Sequence, residues 1–220
     1  MKIIQNLVSP SNYNIKCPYL MNAEFIVVHN TYNDTSAINE VLYMIRNNKA
    51  ISFHYAVDNK KIVQGIPENR NAFHAGDGGR GKGNRKGLSI EICYSKSGGQ
   101  KFIDAEKLAA KFIASKLKEK KWGIDKVKKH QDFANKYCPH RTLDMGWQRF
   151  LNMIQAELDI LEGAGTMENK QHWGEEVYQR LIKKGIKFDE KRFNDNLTRA
   201  EAFAITDKIT DWLLKQINRR

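Results

Sequence analysis

The sequence predicts an α/β domain, a mixed central β-sheet flanked by helices, followed by a small all-α segment. Three observations carry that expectation. Glu24-Phe-Ile-Val-Val-His29 is an unbroken, β-branched apolar run of the kind that forms a strand buried on both faces. Strand-like runs alternate with stretches of helical periodicity as far as Leu161. Gly163-Ala-Gly165 then interrupts the pattern, giving a domain over residues 1–162, a linker over 163–166 and a helical domain over 167–220.

After the first strand, Thr35 or Ser36 can cap a helix in which Ala37, Val41, Leu42 and Ile45 recur at helical spacing. Residues 51–57 and 61–64 flank Asp58-Asn59-Lys60 and read as a β-hairpin. Residues 67–87 form a glycine-rich loop. In the strand over 88–94, Ser89, Glu91 and Cys93 share one face and Ile90, Ile92 and Tyr94 the other, so Glu91 turns away from the more apolar side. Residues 104–121 carry Leu108, Phe112, Ile113 and Leu117 at helical spacing, with Gly123 as the stop signal. Residues 127–130 make a short edge strand, and Trp147–Leu161 is the closing helix.

A hydrophobic share of 41%, a charged share of 28% and 4 prolines exclude collagen-like, low-complexity and disordered chains. No apolar run approaches the roughly 18 residues of a membrane-spanning helix. Residues 1–20 lack the apolar core of a secretory signal, so the chain is expected to be made in the cytoplasm and to act elsewhere only after release. Cys17, Cys93 and Cys138 cannot all pair within one chain; they are thiols, or one is a metal ligand. The net charge of +12, of which +9 precedes Gly163, calls for a polyanionic partner: nucleic acid, a membrane surface or an anionic cell wall. No helix-turn-helix, zinc-finger or RNA-binding aromatic motif accompanies that charge, which argues against nucleic acid.

His29 closes the buried strand, while His130 and Cys138 flank the polar loop His-Gln-Asp-Phe-Ala-Asn-Lys-Tyr-Cys. Two imidazoles and a thiolate could hold Zn²⁺ and leave a fourth tetrahedral position for water, as catalytic sites do. Spacing alone favours the plainer alternative of a hydrogen-bonded core histidine and a buried thiol.

Five ordered segments change that balance. Phe25-Ile-Val-Val-His29-Asn-Thr31, Ser52-Phe-His54-Tyr-Ala-Val-Asp58, Ala72-Phe-His74-Ala-Gly76, Ser89-Ile-Glu91-Ile92, and His130-Gln-Asp132 through Lys136-Tyr-Cys138-Pro139 resemble the motifs of the type 2 N-acetylmuramoyl-L-alanine amidases. Relatives of that family include phage lysozyme-type amidases and peptidoglycan recognition proteins, and the resemblance covers about residues 20–160. It implies a zinc amidase fold and an endolysin acting on peptidoglycan; the missing signal favours a phage or prophage source over a bacterial gene. A zinc-activated water would cleave the amide between the lactyl group of N-acetylmuramic acid and L-alanine. His29, His130 and Cys138 match the zinc ligands. Some members carry a tyrosine just before the hairpin histidine, but Phe53 stands there and has no proton to exchange. Glu91 matches the glutamate of members lacking that tyrosine, which implies the role of general base and acid. Lys136 matches a lysine that stabilises the developing oxyanion.

Asp132 either holds a histidine ligand in its tautomer or caps its own loop. His54 is expected behind the ligands, hydrogen-bonded within the structure. Asn30, His74, Phe53 and Arg85 are expected against the substrate. Relatives that bind peptidoglycan without cutting it typically lack the cysteine, so Cys138 favours the enzyme over the recognition module.

Gly76-Asp-Gly78-Gly-Arg-Gly81-Lys82-Gly83 satisfies two phosphate-loop patterns but lacks the Ser or Thr after the lysine and the helix that either needs. It is expected as a groove wall, with Arg80, Lys82, Arg85 and Lys86 facing an anionic substrate. Residues 167–220 resemble one S-layer-homology unit, with Thr198 and Glu201 as a capping box; a plain helical hairpin fits equally well. Wall attachment, contact with anionic wall polymers and homo-oligomerisation through this segment are expected of it. An internal translation start at Met167 could add free copies.

Overall fold

The computed structural model describes residues 2–163, 183 and 209–211. The chain divides into two compact units, Met1–Gly165 and Thr166–Arg220. The S-layer-like unit, the Thr198–Glu201 capping box and Met167 lie outside the described residues. In chain order the first unit contains β1 (Ile3–Gln5), α1 (Tyr13–Lys16), β2 (Phe25–Asn30), α2 (Ala37–Arg46), β3 (Tyr55–Val57) and β4 (Ile62–Gln64). These are followed by α3 (Lys82–Lys86), β5 (Gly87–Ile92), α4 (Gly99–Lys120), β6 (Val127–Lys129), α5 (His140–Asp144) and α6 (Trp147–Leu161).

The strands form one mixed sheet in the order β1-β4-β3-β5-β2-β6, with β3 and β4 antiparallel and the other pairings parallel. Strand alternation sorts the side chains. Ile26, Val28, Leu88, Ile90 and Ile92 meet Phe102, Phe112 and Ile113 of α4 and Phe150 and Ile154 of α6 in one core. Ala56, Val63 and Cys93 meet Ala37, Val41 and Met44 of α2 on the opposite side. His29 lies beside Glu91, and Glu91 beside Ala56, in the strand register. Both polar residues therefore share the α2 side, near the C-terminal ends of parallel strands, where α/β sheets open their clefts. No helix among the described residues is long and apolar enough to cross a membrane.

Several local expectations are corrected. No side chain of Ser36 caps α2; Ala37 N–H donates to Asp58 Oδ2 at 3.0 Å, and Asp58 Oδ1 also accepts from the amides of Lys60 and Lys61. Residues 51–54 leave the hairpin because Ser52 bonds instead to Phe73 and to the Lys16 carbonyl. Helix α4 starts five residues earlier than its periodicity suggested and ends on Lys121 in the left-handed region (φ 56°), ahead of Gly123. A one-turn helix, α3, does follow the glycine run, where Asp77 accepts from the amides of Gly83 and Asn84. Gly83 packs so closely that a Cβ there would lie 2.5 Å from that of Ala75 and 2.9 Å from the Phe133 ring. The glycines thus permit close packing beside the His130 loop.

A charged network ties β3 to α4 away from the cleft. Glu68 accepts from Tyr55 Oη (2.6 Å), Lys116 Nζ (2.8 Å) and Lys120 Nζ (2.9 Å). Burial pushes the Glu68 carboxyl up, but these donors outweigh it and hold it down at about 2. A depressed carboxyl stabilises the fold above its unfolded value of 4.5 and loses that contribution as pH falls toward about 2. The difference corresponds to roughly 3 kcal/mol at neutral pH. Glu68→Gln is expected to lower stability by up to that amount at pH 7 and to flatten the loss between pH 4.5 and 2, read by chemical denaturation across that range. Equal pH dependence in both proteins would show that the network contributes nothing to acid sensitivity.

Candidate metal centre and cleft

His29 stands one residue before the end of β2, His130 directly after β6, and Cys138 on the loop that leads into α5. All three are buried, and their ligand atoms lie within 4.8 Å of one another. The Nδ1 atoms of His29 and His130 are 3.0 Å apart, and Cys138 Sγ is 3.9 Å from His29 Nδ1. Ligands at tetrahedral zinc, at about 2.0–2.3 Å from the ion, are separated by about 3.3–3.6 Å. Donor chemistry and spacing therefore fit zinc. Burial, then repulsion from His74, His130 and Lys136, holds His29 well below the ordinary imidazole value. Burial and Lys136 bring His130 down to about 4. Both rings are neutral at pH 7, the form that ligates a metal. Burial raises the Cys138 thiol to about 11, so its proton is displaced only when a cation takes its place.

A cleft that Cys138 borders encloses about 540 Å³ and is also lined by Glu91, Lys136 and Phe53. Glu91 Oε2 is buried with no hydrogen-bond partner. Burial, reinforced by the charge of Glu40 and partly offset by Lys136, pushes its carboxyl up to about 8. Glu40 is a site residue missed in the sequence. It follows Ala37 by three positions and precedes Met44 by four, so it interrupts the buried face of α2, and that interruption was the available signal. Phe53 is an apolar wall, 7% exposed. His140 also lines the cleft.

Three expected roles change, and for Asp132 the structure shows the second of its two alternatives. His74 is behind the cluster: its Nδ1 lies 2.9 Å from His29 Nε2, on the side of the His29 ring opposite the Nδ1 that faces Cys138 Sγ at 3.9 Å. With His29 Nδ1 facing the metal position, Nε2–H donates to His74, which fixes the tautomer. Asn30 borders the cleft, but its carboxamide oxygen accepts from the amides of Arg141 and Thr142 and its nitrogen donates to His29 O and Thr142 Oγ1. It anchors α5 rather than a substrate. Arg85 lies over the Tyr19 ring at 3.9 Å, in a separate hollow with Leu20, Arg80 and Lys86. Asp132 gives both carboxylate oxygens to Lys129 and caps its own loop instead of orienting a histidine. The glycine run, expected as a groove wall, is absent from the lining of the cleft among the described residues.

His54 is fully buried in the expected structural role. Its Nδ1 accepts from the Ser89 amide at 3.0 Å, and its Nε2–H donates to Arg70 O at 2.9 Å. Because His74 positions His29, His74→Ala is expected to weaken zinc binding roughly 10- to 100-fold. Competition against a chelator measures it, and unchanged affinity would remove His74 from the metal site.

A family model described as N-acetylmuramoyl-L-alanine amidase matches residues 19–141. The N-acetylmuramoyl-L-alanine amidase CwlA of Bacillus subtilis (strain 168) is 57% identical over 164 residues, 74% of this chain and 60% of that protein. The amidase XlyB of the same organism is 50% identical over 182 residues, 82% of this chain and 56% of that protein. The chain thus spans less than two thirds of the length of either relative. The solved structure of PlyL superposes with a TM-score of 0.68 at 50% identity, covering 70% of this chain and 97% of that one. The catalytic domain of XlyA gives 0.64 at 33% identity, covering 70% and 99%.

Proposed function

The chain belongs to the N-acetylmuramoyl-L-alanine amidase family, and from that membership we propose that it hydrolyses the amide between N-acetylmuramic acid and L-alanine in bacterial peptidoglycan. The convergence of His29, His130 and Cys138, with Cys138 bordering the cleft that Glu91 and Lys136 also line, carries the reading. These three residues would hold zinc. Bound there, zinc supplies a Lewis acid that polarises the carbonyl and makes water more acidic.

The protein's own residues do the rest. Glu91 takes the proton from the attacking water and returns it to the leaving nitrogen, a task suited to a carboxyl poised near neutrality. Lys136 places a cation on the cleft wall to meet negative charge developing on the carbonyl oxygen, a contribution of about 3–4 kcal/mol by analogy with oxyanion donors. His74 and Asn30 hold the ligand side chains and the α5 segment in place. We assign the bacterial wall as the place of action and its anionic polymers as a further attraction for the net positive charge.

End-group analysis tests the proposal. Incubation with purified peptidoglycan is expected to release new L-alanine amino termini without new reducing sugar ends. Reducing ends in place of amines would make the protein a glycosidase.

A further inference from the structure

Tyr32 is held in an unusual conformation at the rim of the cleft. Its backbone has φ 59°, a region that bulky residues rarely occupy, yet its side chain is 71% exposed and gains no core packing in return. The surroundings enforce the conformation. Tyr32 N–H donates to the hydroxyl of fully buried Ser95 at 2.7 Å. Ser95 O in turn accepts from Arg141 Nε at 2.6 Å and from His140 Nε2 at 3.2 Å. The loops after β2 and β5 and the start of α5 are thereby laced together. The Tyr32 ring meets the His140 ring edge-on, with centroids 4.7 Å apart. Both line the cleft that contains Glu91 and Cys138.

Resting on the function proposed above, we infer that Tyr32, braced by His140, is a glycan-stacking platform that receives the sugar side of the substrate. Tyr32 follows His29 by three residues, which places its Cα at most about 10 Å from the ligand's. In muramic acid a short ether link joins the pyranose to the carbonyl under attack, so that distance spans the first sugar or the next. An exposed, uncharged aromatic face suits the C–H face of a pyranose, which has apolar area but no charge. The part of the cleft bounded by Met44, Lys49 and Ile51 instead combines an ammonium group with apolar side chains, the chemistry a carboxylate-bearing stem peptide requires.

The test is binding of a peptide-free tetrasaccharide of alternating N-acetylglucosamine and N-acetylmuramic acid to the full chain, read by calorimetry. Tyr32→Gly should weaken binding about tenfold, and Tyr32→Phe should retain it. Glycine accepts positive φ freely, so Tyr32→Gly should melt within about 2 °C of the parent, which separates a platform from a structural tyrosine. In hydrolysis, Tyr32→Gly should raise KM about tenfold on glycan-bearing substrate. A D-lactyl-L-alanyl peptide without sugar should be cleaved by both proteins alike. Undiminished tetrasaccharide binding by Tyr32→Gly, no binding by the parent, or equal losses on both hydrolytic substrates would overturn the inference. Tyrosine-dependent glycan binding without amine release from peptidoglycan would instead uphold the platform and defeat the proposed amidase activity.

Discussion

His29→Ala, His130→Ala and Cys138→Ala are each expected to lose zinc and, with it, at least about a thousandfold of the amide hydrolysis. The three donor atoms approach one another within 4.8 Å, and no fourth Cys, His or carboxylate joins their cluster among the described residues. Two remaining protein ligands hold the ion too weakly for a site that must also leave a position open. Metal content and amine release, measured on the same samples, check the expectation; far-UV circular dichroism confirms that each variant folds. A folded variant that hydrolyses the wall at the parent's rate without metal would exclude its residue from the centre.

Glu91→Gln is expected to cut turnover by roughly a hundredfold or more while keeping zinc and fold, because in the proposed mechanism the glutamate serves proton transfer and is not among the three clustered metal-binding side chains. The amide matches the carboxyl in shape and cannot exchange a proton at neutral pH. Stability supplies an independent readout in metal-free protein. Burial and Glu40 raise the Glu91 carboxyl to about 8, above its unfolded value of 4.5, so the native state is penalised progressively as pH rises from 4.5 to 8. Glu91→Gln removes that penalty and should melt at or above the parent at pH 8, with the difference vanishing below pH 4.5. Near-normal turnover would move the proton-transfer role to another group.

The contrast between what was legible in the sequence and what was not follows the range of the interactions involved. Strands β2 and β5 and helix α6 were legible because each carries its signal in its own residues: a β-branched run, a two-residue alternation and a helical stripe. The ligands could be named because the family motifs place His29, His130 and Cys138 at element ends. Asp58 capping α2 from a hairpin turn, His74 supporting His29, and Asn30 anchoring α5 are contacts between segments 21, 45 and 111 residues apart. No local pattern records them. Arg85 illustrates the same limit from the other side: a basic residue in a glycine loop looks substrate-facing until Tyr19 is found beneath its guanidinium.

Metal titration tests the central claim most directly. Protein stripped of metal by a chelator is assayed for L-alanine amine release from purified peptidoglycan as zinc is added back. The account predicts no hydrolysis without zinc and a linear recovery that saturates at one zinc per chain, whereas full hydrolysis by the stripped protein would contradict it.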